Sequence, residues 1–230
     1  MDATGNISYK YDNTLYQNIG NSSNMGGGHI EVTTANISAQ TGTLRIGNFN
    51  TKRHYAIDNS GNIKTGFPFT STNRFNAPPT LVDIDGDGDL EIVAGNDSGL
   101  LHVIDHDGGE LTSYDVGDDI RGGISVADLN DDGSYELIFA GYDDMIHVWN
   151  PMSGEELDGW PIDMGYNSLT EPVTADLDND GDIEVISAMK SGMVYIFHHD
   201  ATLFNNFPTN LSGNIESSPA IGDLDSDNDY

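Results

Sequence analysis

Acidic side chains alternate with other residues in one short stretch of the sequence, DIDGDGDLEIV (83–93). Its carboxylates stand at every second position from Asp83 to Glu91, and an apolar segment follows at once. A Ca²⁺ ion takes about six to eight oxygen ligands, and a D-x-D-x-D-G stretch offers three carboxylates on alternate residues. Gly88 can adopt the positive φ that curls such a stretch around one centre. The residue types and their spacing therefore predict a site for a hard divalent cation such as Ca²⁺.

The same stretch recurs three more times, in loops that begin 45, 48 and 47 residues after one another. The copies are DLNDDGSYE (128–136), DLDNDGDIE (176–184) and DLDSDND (223–229). In each copy the first, third, fifth and ninth side chains are predicted ligands, and the seventh residue is predicted to offer its backbone carbonyl. The predicted metal ligands are Asp83, Asp85, Asp87, Asp89, Glu91, Asp128, Asn130, Asp132, Ser134, Glu136, Asp176, Asp178, Asp180, Asp182, Glu184, Asp223, Asp225, Asp227 and Asp229.

Two loops depart from this scheme. The stretch NISAQTGTLRI (36–46) keeps the apolar positions, but Asn36, Ser38 and Gln40 stand where the first three ligands would be, which predicts a loop without an ion. The loop from Asp223 has Asn228 in place of Gly, and the sequence contains no ninth residue for it. The sequence therefore predicts three Ca²⁺ sites and leaves the fourth, near Asp223, in question.

Other readings of D-x-D-x-D-G conflict with the residues that follow it. An EF-hand needs a bidentate Glu at the twelfth position and a helix after the loop. The twelfth position here is Ala94, Phe139 or Ser187, within β-rich segments. Dockerin-like modules also continue into a helix and are disfavoured for the same reason. Solvated turns would explain one acidic loop, but they do not explain several copies in register.

The segments between the loops repeat as well, which indicates the fold. LHVID (101–105), IHVWN (146–150) and VYIFH (194–198) follow the loops at nearly constant distance, and GFP, GWP and NFP come next. Short apolar segments bounded by Gly, Asn, Asp and Pro are typical of strands. A period of about 45–48 residues with four strands is typical of a β-propeller blade. We predict an all-β chain in which residues 1–230 form one β-propeller region of about four and a half units, a partial or offset set of blades.

The units also resemble a known repeat family. PTLVDIDGDGDLEIV (79–93) and PVTADLDNDGDIEVI (172–186) are similar to the FG-GAP/VCBS repeats of integrin α-chains and of many secreted bacterial proteins. The resemblance covers nearly the whole chain, although Glu replaces the more usual Asp at position nine and Ile124 replaces Pro in the second unit. It implies Ca²⁺ bound by the odd positions of each loop, and an extracellular, secreted or cell-surface location.

Charge limits the partners of the chain. Its 38 acidic and 8 basic residues give a net charge of −30, which argues against nucleic acid and anionic membrane surfaces, since both attract Lys and Arg. No apolar run is long enough to insert into a membrane, and the N-terminal residues lack the pattern of a signal peptide. The absence of Cys rules out disulfides without fixing the compartment.

Two classes of function agree with these features. We predict a non-catalytic adhesion or recognition module that binds a protein or a polysaccharide. The alternative is a propeller resembling Ca²⁺-dependent polysaccharide lyases, or another carbohydrate-active enzyme, with a Lys, Arg or His as base. His102 and His147 occupy repeated strand positions, which favours a structural role. The features that do not repeat, where function tends to concentrate in repeat proteins, are Lys52, Arg53, His54, Arg74, Arg121, Trp149 and Trp160.

Overall fold

The chain is all-β in the part that the structure describes. The structure is a computed structural model, which describes residues 31–35, 44–48, 52–58 and 60–223. These residues form 17 strands and no helix, which confirms the all-β part of the predicted fold class. Within the same residues, no helix therefore has the length and apolar character that a membrane crossing requires.

The strands form four antiparallel sheets, and each sheet is a continuous piece of the chain. The first contains β1 (Glu31–Ala35), β2 (Leu44–Asn48), β3 (Arg53–Ile57) and β4 (Phe69–Thr70). The second contains β5 (Thr80–Val82), β6 (Glu91–Gly95), β7 (Leu100–Ile104) and β8 (Glu110–Asp115). The third contains β9 (Ser125–Ala127), β10 (Glu136–Ala140), β11 (Met145–Asn150), β12 (Glu155–Glu156) and β13 (Ile162–Asp163). The fourth contains β14 (Val173–Ala175), β15 (Glu184–Ala188), β16 (Met193–Phe197) and β17 (Thr209–Asn210).

Each sheet corresponds to one sequence repeat. Its strands pair with their neighbours in chain order, and in the third sheet both β12 and β13 pair with β11. The acidic loops that begin at Asp83, Asp128 and Asp176 join the first strand of a sheet to the second. A strand follows each of these loops directly, so the loops lack the exiting helix of an EF-hand. The degenerate loop joins β1 to β2 at residues 36–43, which lie outside the described residues.

In the second and third sheets, the second and third strands are buried on both faces because neighbouring sheets pack on them. Leu137, Phe139 and Trp149 of the third sheet pack toward the second sheet, against Val93 and Val103. The alternate residues Ile138, Ala140 and Val148 pack toward the fourth sheet, against Val185 and Phe197. The period of two along a strand thus sends successive side chains into two different cores. This arrangement explains the continuous apolar runs EIVAG and ELIFA.

The recurring GFP, GWP and NFP segments have one conformation. The peptide bonds before Pro68, Pro161 and Pro208 are cis. The residue before each aromatic side chain, Gly66, Gly159 or Asn206, has a φ of 90°, 92° or 68°. Gly and Asn are the residue types that adopt this left-handed conformation most readily. The repeated sequence is therefore explained by a backbone requirement of the turn that directly precedes the last strand of the first, third and fourth sheets.

Candidate metal centre

The first residue of each acidic loop organises the loop backbone. Both carboxylate oxygens of Asp83 accept hydrogen bonds from loop N–H groups, from Gly86 at 2.8 Å and Gly88 at 3.1 Å. Asp128 accepts from Asp132 and Gly133 at 3.0 and 2.9 Å. Asp176 does the same in the third loop, with the N–H groups of residues 180 and 181. In all three loops the first carboxylate therefore holds the N–H of position six and one other, which is position four in the first loop and position five in the other two.

Two positions of the loop need a left-handed backbone. At the sixth position, Gly88, Gly133 and Gly181 have φ values of 93°, 89° and 101°, as the sequence predicts for the turn. The fourth position is also left-handed, and it is occupied by Gly86 (76°), Asp131 (54°) and Asn179 (60°). Gly, Asp and Asn share a tolerance of this conformation. The choice of residue at the fourth position was a signal in the sequence that the ligand scheme did not use.

The ninth residue closes the loop from inside the protein. Glu91, Glu136 and Glu184 are fully buried. One oxygen of each, Oε2, accepts the backbone N–H of the second residue of its own loop at 2.9, 2.9 and 2.7 Å. The apolar side chain of that second residue is buried in the first two loops, at Ile84 and Leu129. The buried carboxylate thus ties the start of the loop to its end, a structural role that the sequence analysis did not foresee.

The other oxygen of the ninth residue has a different environment in each loop. Glu136 Oε1 accepts a hydrogen bond from Asn150 Nδ2 at 2.9 Å. Glu184 Oε1 lies 3.1 Å from His198 Nδ1, in hydrogen-bond geometry. Glu91 Oε1 is buried and has no hydrogen-bond partner among the described residues. The first loop therefore contains a buried anionic oxygen that no donor of the described protein satisfies.

Burial and neighbouring charge make the ninth carboxylate hard to ionise when no cation is present. Burial raises the pKa of Glu91 to about 7; the hydrogen bond from Ile84 opposes the shift, and the charges of Asp85, Asp87 and Asp105 add to it. Burial also raises the pKa of Glu136, although the hydrogen bonds from Leu129 and Asn150 oppose it. A bound cation would remove this penalty, because it favours the charged form of the carboxylate.

The structure brings only some of the predicted ligands together. Carboxylate oxygens of Asp83, Asp85 and Glu91 lie within 4.8 Å of one another in the first loop. In the third loop the corresponding group is Asp176, Asp178 and Asp180, and Asp178 also lies within this distance of Glu184 and His198.

The remaining predicted ligands are arranged differently. Asp87 and Asp89 form a group with His106, a residue that the scheme does not include. In the second loop, Asn130 and Asp132 are hydrogen-bonded to each other at 3.0 Å, and Ser134 donates its backbone N–H to Asp132. Of the fourth loop only Asp223 is described; the predicted ligands outside the described residues are Asp225, Asp227 and Asp229.

The donor atoms of these loops suit Ca²⁺. Their exposed carboxylates are hard oxygen donors, the chemistry that Ca²⁺ prefers. The Glu91 oxygen without a partner is a second indication, because a buried anionic oxygen that receives no hydrogen bond costs free energy until a proton or a cation binds. Asp83, Asp85 and Glu91 in the first loop and Asp176, Asp178 and Asp180 in the third are the side chains that could hold such an ion.

The sequence analysis missed the histidines that follow the third strand of the second sheet and of the fourth sheet. Asp105, Asn150 and His198 occupy the same repeat position. His106 follows Asp105, and His199 follows His198. His106 Nε2 lies 3.6 Å from Asp89, and His199 Nδ1 lies 3.4 Å from Asp182. The signal in the sequence is a constant separation of 14 residues from the ninth loop position.

The candidate catalytic residues have structural partners. Asp97 is buried, and it pairs with Arg74 at 3.0 Å and with Arg121 at 2.8 Å. His102 is hydrogen-bonded to Ser71 and to Glu110. These contacts hold the second sheet to the segments around it. They agree with the structural role that the repeat position predicts for His102.

The other residues that the sequence suggested as functional candidates also have structural contacts. His147 is buried between Asp143 and Glu156, at 2.8 and 2.7 Å. Trp149 and Trp160 belong to the two largest apolar cores. His54 is fully buried with its ring 3.9 Å from that of Phe75. Burial, together with the nearby His102, lowers the pKa of His54 to about 3, so this imidazole is neutral. Lys52 Nζ donates a hydrogen bond to the carbonyl of Thr72.

An open cleft crosses the first strands of three sheets. It has a volume of about 570 Å³, and it is lined by residues of β5, β9 and β14 together with Tyr135 and Glu171. Asp83, the first residue of the first acidic loop, is also one of its lining residues. The cleft therefore connects a surface that could hold a ligand to one of the acidic loops.

The comparisons with known proteins identify a fold. No family model matches the chain, and no curated protein is similar enough in sequence to count as a relative. The chain is similar in structure to BBS1N, solved in complex with ARL6DN, with a TM-score of 0.61, 8% identity, and coverage of 82% of this chain and 59% of that one. It is similar to the computationally designed Ika8 protein with a TM-score of 0.61, 12% identity, and coverage of 84% and 53%.

These neighbours have propeller-like folds, and at such low identity the likeness concerns the fold alone. The chain spans 59% and 53% of the length of the two proteins. Its own sheets, each a continuous antiparallel piece of chain with four or five strands, agree with that likeness. The chain has a propeller-like all-β fold.

Proposed function

We propose that the chain is a Ca²⁺-stabilised recognition module of the FG-GAP/VCBS type, built from propeller blades of about 45–48 residues. The observation that carries the proposal is the common geometry of the three acidic loops. Each presents exposed carboxylates on one side and is closed by a fully buried Glu on the other. The unsatisfied oxygen of Glu91 supports a cation in addition to these hydrogen bonds.

We infer that Ca²⁺ acts as a structural element of each loop. The net charge of −30 opposes folding, and part of it is concentrated in the loops. Asp83, Asp128 and Asp176 would contribute the central carboxylate, since each already organises its loop. Extracellular modules commonly bind Ca²⁺ in the range of about 10⁻⁴ to 10⁻³ M. A site of that affinity would be filled outside the cell, which supports the proposed secreted or cell-surface location.

The proposed partner is a protein or a polysaccharide that binds at the open cleft. The cleft crosses β5, β9 and β14, so its walls belong to three sheets that the loops stabilise. The alternative, a carbohydrate-active enzyme, has less support. The basic residues considered as catalytic bases include Arg74 and Arg121, which pair with Asp97, and His102 and His147, which are buried in hydrogen-bond networks.

The experiment is a thermal melt of the whole chain in a chelator and then in increasing Ca²⁺, with Mg²⁺ as the control ion. A single site at 100 times its Kd stabilises the folded state by about 2.7 kcal/mol, and several sites stabilise it further. Mg²⁺ should do much less, because it demands a small octahedral site. A melting curve that does not change between chelator and Ca²⁺ would contradict the proposal. Turnover of uronic-acid polymers by the chain would favour the enzymatic alternative.

A further inference from the structure

A second group of potential ligands lies beside the first acidic loop and does not belong to the repeated scheme. Oxygens of Glu91 and Asp105 and a ring nitrogen of His106 lie within 4.8 Å of one another. Asp105 and His106 come directly after β7, opposite the start of β6, where Ile92 pairs with Ile104. One step further along this pairing places Glu91 across from Asp105. The group is thus built by two adjacent strands, not by the loop alone.

The Glu91 oxygen is the feature that points to a ligand. Glu91 is fully buried, and its Oε1 has no hydrogen-bond partner among the described residues. Asp105 has a counterpart in two other sheets. In the third sheet it is Asn150, which donates a hydrogen bond to Glu136, and in the fourth sheet it is His198, which is hydrogen-bonded to Glu184. An ionised Asp105 cannot donate. The second sheet therefore has an acidic side chain at the position where the third and fourth sheets have a hydrogen-bond partner for the buried Glu.

His106 does not satisfy this pair of acids. Its Nδ1 lies 2.5 Å from Asp105 Oδ1, but the direction is not that of a hydrogen bond, and Nδ1 has no hydrogen-bond partner among the described residues. The side chains of Asp105 and His106 are each 30% exposed, which leaves a route for an ion from solvent. Two carboxylates and an imidazole thus converge on one place, and Glu91 Oε1 receives no hydrogen bond there from the described residues.

The geometry points to a second, histidine-containing metal site at Glu91, Asp105 and His106, which takes a borderline divalent cation such as Zn²⁺. Imidazole nitrogen suits Zn²⁺, Cu²⁺, Ni²⁺ and Fe²⁺, whereas Ca²⁺ takes oxygen ligands. Three protein ligands plus a water complete the four-coordinate geometry that Zn²⁺ prefers. Glu91 faces both this group and Asp83 with Asp85, so the site adjoins the loop proposed to bind Ca²⁺. The inference does not require that loop to be filled.

The experiment is a calorimetric titration of the whole chain with Zn²⁺ in saturating Ca²⁺, comparing two matched variants. His106→Asn removes the imidazole, and we expect Zn²⁺ affinity to fall at least about tenfold, in line with the loss of a metal ligand. His199→Asn makes the same change at the corresponding position of the fourth sheet, where Glu184 already has His198 as a partner. This control should leave Zn²⁺ affinity unchanged.

A second measurement keeps the inference testable if His106→Asn does not fold. X-ray absorption of the Zn²⁺-loaded chain should show one imidazole nitrogen at about 2.0–2.1 Å with oxygen ligands at about 2.0–2.2 Å, and Asp105→Asn should weaken Zn²⁺ binding. No Zn²⁺ binding in saturating Ca²⁺, which is the result if Glu91 and Asp105 share a proton instead, would overturn the site. Equal losses in His106→Asn and His199→Asn would overturn it too. Failure of the Ca²⁺ melt alone would leave it standing.

Discussion

The second and third sheets contain the same loop but differ in how they treat the carboxylate beneath it. In both, the ninth-position Glu is fully buried and accepts the N–H of the second loop residue through Oε2. In the third sheet Asn150 donates to the free oxygen, and in the second sheet Asp105 stands at that place. Both sheets therefore bury the Glu in the same way, but only the third sheet supplies a hydrogen-bond donor to its remaining oxygen.

The largest expected change in unfolding free energy comes from placing an acid beside Glu136 in the third sheet, as Asp105 stands beside Glu91 in the second. Asn150→Asp keeps the side-chain oxygen that accepts from Met152 and Ser153 but removes the donor to Glu136. Two buried acids would then face each other, so the metal-free protein at pH 8 should lose about 3 kcal/mol of unfolding free energy in a urea titration. Asn130→Asp adds the same charge to the exposed part of that loop and should cost less than about 1 kcal/mol. Equal losses in the two variants would contradict the comparison.

The reverse exchange should stabilise the second sheet. Asp105→Asn supplies an amide donor opposite Glu91 Oε1, at the place that Asn150 holds in the third sheet. A hydrogen bond to a charged group contributes about 1.5–3 kcal/mol, so the metal-free protein should gain about 1.5 kcal/mol in the same urea titration. Asp107→Asn changes a nearby exposed acid, and it should stay within about 0.5 kcal/mol of the parent. A metal-free Asp105→Asn protein that is less stable than the parent would show that Glu91 is satisfied in another way.

The comparison also shows how far the sequence alone could lead. The short strands of each unit, the loop positions and the glycine at position six follow from local rules of strand alternation and turn chemistry, so the repeats predicted them. The contacts of Glu91, Glu136 and Glu184 depend on the pairing of the second and third strands, which brings together residues 14 positions apart. A ligand scheme read along one loop leaves such contacts out, and it therefore omitted Asp105, His106 and His198.

The choice of side chains at the loop itself can be tested in the third loop, where Asp176, Asp178 and Asp180 come together. Asp180→Asn keeps the oxygen that accepts the N–H of Asp182 but removes a charged ligand, so Ca²⁺ affinity should fall at least about tenfold, or about 1.4 kcal/mol. Asp182→Asn leaves the backbone carbonyl at position seven in place and should have a much smaller effect. Calorimetric Ca²⁺ titration of both variants is the measurement. Equal losses would favour simple charge density over the proposed ligand positions.

The smallest expected effect on stability concerns the histidine in the third strand, which has different hydrogen-bond partners in the same two sheets. His147 of β11 lies between the carboxylates of Asp143 and Glu156, whereas the corresponding His102 of β7 is hydrogen-bonded to the Ser71 hydroxyl and Glu110. Burial lowers the pKa of His147, but the hydrogen bonds and charges of Asp143 and Glu156 outweigh burial and leave it above its usual value. The ring of Tyr114 also makes a T-shaped contact with this imidazole, with 5.9 Å between the ring centroids.

A raised pKa in the folded state means that His147 contributes stability below its unfolded pKa of about 6.5 and loses that contribution as the pH rises through the folded pKa. Unfolding free energy at fixed Ca²⁺ should therefore show a decline above about pH 6.5 that His147→Gln removes and Asp143→Asn reduces. Asp144→Asn is the matched control, because Asp144 is the next residue of the same turn and Asn tolerates its φ of 66°. If the decline were the same in the parent, His147→Gln and Asp144→Asn, the imidazolium would not be the group that holds β11 to these two acids.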